Sequence, residues 1–203
     1  MLGLIKIKVM SASQKPQPNE DQVWAQLCDL PEHLKGEIID GELHVQPRPR
    51  PRHSRIIGRL FGAISRVVDH DDDGAETGGW WILIEPGIEL PGAREIVPDV
   101  AGWRRSTLPE LDLDAPIKTR PDWVCEVLSP GNTRHNIVRK QGFYARSGVE
   151  WLWHVNPAPD VRTLQVFHLV DDKWLVHMTC SDELSVRLPP FEEVELPLAK
   201  LWL

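Results

Sequence analysis

The chain has 203 residues, 41% apolar and 26% charged, which is the composition of a folded globular protein and excludes general disorder. Its net charge of −7 excludes adhesion to nucleic acid through the whole surface, while leaving room for a local basic cleft. Cys28, Cys125 and Cys180 make no C-x-x-C pair, which argues against a zinc site or a disulfide framework.

No apolar run reaches the ~18 residues of a spanning helix, and residues 2–10 are broken by Lys6 and Lys8 with no cleavage pattern. The expectation is a cytoplasmic protein without a membrane partner. Nine Trp against one Tyr point to core packing, each indole N–H finding an acceptor.

Residues 1–20 read as a polar leader ahead of one domain over 21–203. A short helix is expected near 21–30, with Val23, Trp24 and Leu27 on one face. Then Glu37-Ile38-Ile39 and Glu42-Leu43-His44-Val45 flank Asp40-Gly41, a hairpin signal because a type I′ turn needs positive φ at both turn positions. The run Pro-Arg-Pro-Arg-Pro-Arg over 47–52 predicts an extended, polyproline-like arm. Its Arg48, Arg50 and Arg52, with Arg55 and Arg59 beyond, form the one dense basic patch of an acidic chain. That patch either tracks a phosphate backbone or is a solvated arm.

Ile56, Ile57, Leu60, Ile64 and Val67 predict a helix over 53–68. An acidic loop follows over 69–79, with strands over 80–84, 88–90, 96–103 and 123–128. A helix is expected over 132–147, closed by Gly148, and a strand over 150–155. Stretches 161–169 and 173–179 predict a hairpin across Asp171-Asp172, and 196–203 a short apolar turn or helix. A helix between two apolar strands is a βαβ unit, whereas leading and trailing hairpins exclude a purely parallel fold. The class is α/β, with a mixed central sheet flanked by helices.

Three charged residues stand where apolar ones belong. Glu126 shares a strand face with Val124 and Leu128, and a carboxylate there needs a cation or donors. An arginine partner, or a place at a solvent-facing strand end, would also satisfy it. Asp99 shares a face with Val97, Ala101 and Trp103, after a Pro98 that places the strand at an edge or bulge. Lys140 borders the apolar stripe of Ile137, Phe143 and Tyr144, where it either meets a carboxylate or phosphate or snorkels along apolar surface. Two carboxylates on adjacent strands would hold Mg²⁺, with Mn²⁺ as a substitute. The ion would activate water, and the ammonium would orient it or stabilise charge on a phosphodiester.

The run Val97-Pro98-Asp99-Val100, then Glu126-Val127-Leu128-Ser129-Pro130, then Lys140, Tyr144 and Gly148-Val149, resembles the Uma2 (DUF820) family. That family is grouped with PD-(D/E)XK restriction-endonuclease-like proteins. The hairpin from Gly36 to Leu43, His53, and Trp151-Leu152-Trp153-His154-Val155-Asn156-Pro157 carry the likeness over roughly 30–200. The resemblance implies a restriction-endonuclease-like core with added hairpins at both ends. The wider pattern has lysine two residues after the second acid, where this chain has Leu128. In Uma2-like sequences the lysine comes from the following helix, which matches Lys140; Arg134 and Arg139 are the alternatives. The resemblance makes Glu37 a third ligand, a bridge to Lys140 or an exposed strand carboxylate. It makes His53 a supporting or phosphate-contacting residue or a structural one.

The function expected is a Mg²⁺-dependent endonuclease on nucleic acid, DNA before RNA, working alone or as a homodimer. A nuclease-fold module that no longer cuts, and another metal-dependent phosphoester hydrolase, are the alternatives.

Overall fold

A computed structural model of the chain describes residues 19–69, 79–129 and 134–202. The expected leader up to residue 18, and the acidic loop over 70–78, lie outside them. Helix α1 (Glu20–Cys28) is closed at its start by a capping box in which Asn19 and Gln22 bond each other's backbone N–H. Asn19 and Glu20 therefore belong to this helix. Strands β1 (Leu34–Ile39) and β2 (Glu42–Pro47) form the expected hairpin, with φ of 54° at Asp40 and 74° at Gly41. Gly36 lies close beneath Leu27 and Leu30, whose Cδ1 atoms would stand 2.5 Å from a Cβ there and would have to shift for any larger residue. Lys35 and Glu37 alternate to the opposite face.

The proline–arginine run is extended as far as Arg50 (φ −80°, ψ 161°) but is tied into the fold at both ends. Pro47 ends β2, and Pro51 opens helix α2 (Pro51–Val68) in its first turn. Proline suits that position because the N–H it lacks would have no partner there anyway. The helix buries Ile56, Ile57, Leu60 and Ile64 as its period predicts. Its last buried residue is Val68, while Val67 is 40% exposed. Both border the stripe, and the core closes on Val68.

The strand expected over 96–103 is two strands. β3 (Trp80–Ile84) and β4 (Ile88–Leu90) are followed by β5 (Ala93–Ile96) and β6 (Val100–Arg104), with Val97, Pro98 and Asp99 passing between them. Pro98 marks this passage, not an edge: β6 pairs with β3 on one side and with β7 (Trp123–Val127) on the other. Helix α3 (Arg134–Arg146) then crosses to β8 (Trp151–Asn156), which runs parallel to β7 and completes the expected βαβ unit. The N–H groups of Gly148 (φ 73°) and Val149 bond the carbonyls of Ala145 and Tyr144, a Schellman end. Next come β9 (Thr163–Val170) and β10 (Lys173–Cys180), then β11 (Val186–Leu188), β12 (Phe191–Leu196) and α4 (Leu198–Leu201).

The central sheet has the order β10-β9-β8-β7-β6-β3 and is mixed; β2-β1-β5-β4 form a second sheet. One face of the central sheet packs α2, β12 and α4 around Trp123, Trp153 and Phe191, whose rings meet edge-on at 4.9–5.8 Å. The other face, with Ala101, Val124 and Leu152, packs Phe143 and Tyr144 of α3 and Ile88 and Ile96 of the second sheet. Period two assigns Glu126 to this second face. Trp81, Trp103, Trp153, Trp174 and Trp202 donate to backbone carbonyls, as expected of indoles, whereas the buried Trp123 N–H has no partner among the described residues. Cys125 is fully buried and its thiol is pushed up by that burial, as befits a small hydrophobe.

Candidate active site

The pairing of Val100 with Cys125 sets Asp99 beside Glu126 at the shared end of β6 and β7. Both carboxylates line one cavity, with Glu37, His53 and Lys140 in its wall. The Val127 N–H donates to Asp99 Oδ2 at 2.6 Å, and His53 Nε2 lies 3.1 Å from the same oxygen. Asp99 is thus aimed by the neighbouring strand and by the first turn of α2.

Glu126 is buried, 7% exposed, away from solvent, and among the described residues it has no arginine partner. Its Oε1 accepts from the Tyr144 hydroxyl at 2.6 Å and pairs with Lys140 Nζ at 2.7 Å. Lys140 also donates to Glu37 Oε1 (3.0 Å) and to the Val97 carbonyl (3.1 Å). The Val97 N–H in turn donates to Glu37 Oε1 at 2.8 Å. Of the three readings of Glu37, the structure has the bridge to Lys140, and Glu37 is buried.

Burial pushes the Glu126 carboxyl up to about 7, with the charges of Asp99 and Glu37 adding to it and that of Lys140 opposing. Burial alone would lower the Lys140 ammonium, but Glu126, Glu37 and Asp99 hold it above its ordinary value. Its carboxylate neighbours thus favour the ammonium form of Lys140. Burial would also lower His53, yet its hydrogen bond to Asp99 and the charges of Asp99 and Glu126 raise it on balance. His53 Nδ1 is buried and has no partner among the described residues.

The basic patch divides. Arg50 and Arg52 line a groove that shares His53, Leu128, Ser129 and Ile137 with the cavity and continues past Pro157 to Pro159. Arg48 turns away to the Glu32 carbonyl, and neither Arg48 nor the exposed Arg55 lines cavity or groove. Arg139, an alternative cation, is engaged by Glu42 and His44 of β2. The side chain of Arg134 lies outside the described residues.

Several wall residues were not singled out from the sequence: Lys35, His44 and Gln46 on the hairpin, which carry no signal of their own, and His154 on β8. His154 lies directly across from Glu126 in the β7–β8 register, and burial beside Lys140 pushes it down to about 4, so it stays neutral. A histidine inside Trp-Leu-Trp-His-Val breaks an apolar strand just as Glu126 does, and that pattern would have found it.

The donor set suits a hard cation. Among the described residues the protein bonds to the two acids fall on Asp99 Oδ2 and Glu126 Oε1, so Asp99 Oδ1 and Glu126 Oε2 are the atoms that would meet an ion. No group of three or more His, Cys, Asp or Glu among the described residues is placed to hold a metal ion. Mg²⁺ binds through one or two carboxylates and keeps several waters, so two acids on an open cavity fit it.

Set against known proteins, residues 24–199 match the model of the Uma2 family, described as a putative restriction endonuclease, and the chain belongs to that family. It is similar to the crystal structure of a putative nuclease belonging to DUF820 from Anabaena variabilis ATCC 29413. The TM-score is 0.65 at 22% identity, over 89% of this chain and 97% of that one. The fold is thus the expected restriction-endonuclease-like α/β core with its added hairpins. No curated protein matches the chain. Among the described residues no helix is long and apolar enough to cross a membrane.

Proposed function

We propose that the protein is a Mg²⁺-dependent endonuclease acting on DNA, with Asp99 and Glu126 as metal ligands and Lys140 as its catalytic cation. One observation carries the reading: two carboxylates from adjacent strand ends share a cavity, and a lysine from the crossover helix sits 2.7 Å from one of them. Bound there, the ion would lower the pKa of a water and draw charge from a phosphodiester oxygen. Lys140, held as an ammonium by its carboxylate neighbours, would stabilise developing negative charge and orient what approaches Glu126. The Val127 N–H and His53 hold the Asp99 carboxylate in one rotamer, and Tyr144 does the same for Glu126. Arg50 and Arg52 present positive charge along the groove in which the DNA backbone would lie.

The test is cleavage of plasmid and single-stranded DNA with Mg²⁺ or Mn²⁺, with Glu126→Ala as control. Cutting by wild type alone supports the reading, and equal cutting by the variant traces the activity to a contaminant. The engagement of Glu126 Oε1 by both Lys140 and Tyr144 favours a second reading, a binding module that no longer cuts. DNA binding without cleavage under every metal would establish it.

A further inference from the structure

The β1–β2 hairpin brings a second set of groups to the cavity. Its register pairs Lys35 with Gln46 and Glu37 with His44, and all four side chains line the cavity. Glu37 is engaged by Lys140 and Val97, and His44 by Arg139. The Lys35–Gln46 pair is differently placed. Among the described residues the Gln46 carboxamide has no hydrogen-bond partner. Lys35 pairs with Glu85, whose carboxylate is 37% exposed, and an ion pair so open to water is weakly held.

Glu85 ties this pair to the site. It lies in the left-handed region, φ 47°, and its N–H donates to the Asp99 carbonyl at 3.1 Å. A non-glycine residue in that conformation is often kept where function needs it. Here it stations the Lys35 ammonium beside the chain segment that carries Asp99, with an exchangeable counter-ion.

An ammonium next to an unengaged carboxamide matches the two parts of a nucleotide. The ammonium suits a phosphate oxygen, and the carboxamide offers the donor and acceptor that pair with the N6 and N7 edge of adenine. We infer that Lys35 and Gln46 recognise the nucleotide flanking the bond to be cut, Lys35 exchanging Glu85 for a phosphate and Gln46 reading the base edge, with adenine preferred. This rests on the nuclease reading for its substrate class.

The experiment is binding, not cleavage. Fluorescence anisotropy of labelled oligo-dA, oligo-dC and oligo-dT is measured with the full chain in Ca²⁺ over a range of salt, for wild type, Lys35→Gln and Gln46→Ala. Wild type should prefer oligo-dA by about tenfold, and Gln46→Ala should level that preference without changing the salt slope. Lys35→Gln should weaken all three sequences alike and lower the log–log slope by about 0.7. Both positions face the cavity and neither packs in the core, so thermal melts should match wild type. An unchanged slope in Lys35→Gln, or an unchanged order of affinities in Gln46→Ala, overturns the inference. A chain that binds with these signatures but never cuts loses the nuclease reading and keeps the recognition pair. A chain that cuts DNA while both variants bind like wild type keeps the nuclease reading and loses the pair.

Discussion

Lys140 and Glu37 meet across two sheets: the ammonium of α3 reaches the β1 carboxylate at 3.0 Å while also holding Glu126 on β7 at 2.7 Å. The lysine is the one cation bonded to both buried acids among the described residues, so its removal would leave two carboxylates uncompensated. Such a loss typically costs 3–5 kcal/mol, about what breaking a buried ion pair costs. Lys140→Ala should therefore melt well below wild type without metal, recover in part with Mg²⁺, and turn over about 10²–10³-fold more slowly. Lys140→Arg should not rescue fully, because a planar fork does not replace a compact ammonium. Calorimetry with and without Mg²⁺, alongside the cleavage rate, checks both; a Lys140→Ala protein as stable and as fast as wild type would remove the lysine from the site.

Metal and proton should compete for Glu126. Its folded value of about 7 lies above the ordinary 4.5, so the folded chain holds that proton to higher pH than the unfolded chain does. The stability this contributes is full below about 4.5 and is lost as pH rises through about 7. In EDTA, Glu126→Gln should gain on wild type in melting temperature between about pH 5 and pH 8. Mg²⁺ should reverse the order, adding about 2.7 kcal/mol to wild type at a hundred times its Kd and much less to Glu126→Gln or Asp99→Asn. Below about pH 7 the affinity for Mg²⁺ should fall close to tenfold per pH unit. Metal shifts that are equal in all three proteins would locate the ion elsewhere.

Tyr144 provides a finer test. Its hydroxyl donates to Glu126 Oε1 at 2.6 Å and so favours the ionised carboxylate. Tyr144→Phe keeps the ring in the core and removes only the donor, at a cost of about 1.5–3 kcal/mol for a bond to a charged group. The acid limb of the pH–rate profile should move to higher pH in this variant. A limb that stays in place would mean that another group governs it.

The arginines should prove unequal. Arg50→Gln and Arg52→Gln should each flatten the salt dependence of DNA binding by about 0.7–0.9 in log–log slope. Arg48→Gln should leave it unchanged, since that guanidinium is bonded to the Glu32 carbonyl and lines neither cavity nor groove. Equal slopes in all three variants would return the run to a structural connector.

The sequence made local chemistry legible where one residue type has one physical use. Asp40-Gly41 predicted its turn because few residues tolerate positive φ, and Gly148 predicted the end of α3 for the same reason. Glu126 and Lys140 stood out because charge on an apolar face is costly. Strand limits were harder to read. Residues 96–103 alternate well enough to read as one strand, yet Val97 spends its backbone groups on Glu37 and Lys140. That is a tertiary contact, and no local period reports it. β5 passed unseen because Arg94 and Glu95 interrupt it, and β11 and β12 because their register shifts between Val186 and Leu188. The hairpin wall was hidden for another reason: Lys35, His44 and Gln46 look like ordinary solvent-facing strand residues until a second sheet faces them.

That facing has a mechanical side. β1 belongs to one sheet and β7 to the other, and at the cavity floor they are clasped by an ammonium, not by a ladder of backbone bonds. The two sheets are consequently joined here by charge, two carboxylates on one lysine, in addition to the apolar packing of Ile39, Ile88 and Ile96 against Ala101 and Val124.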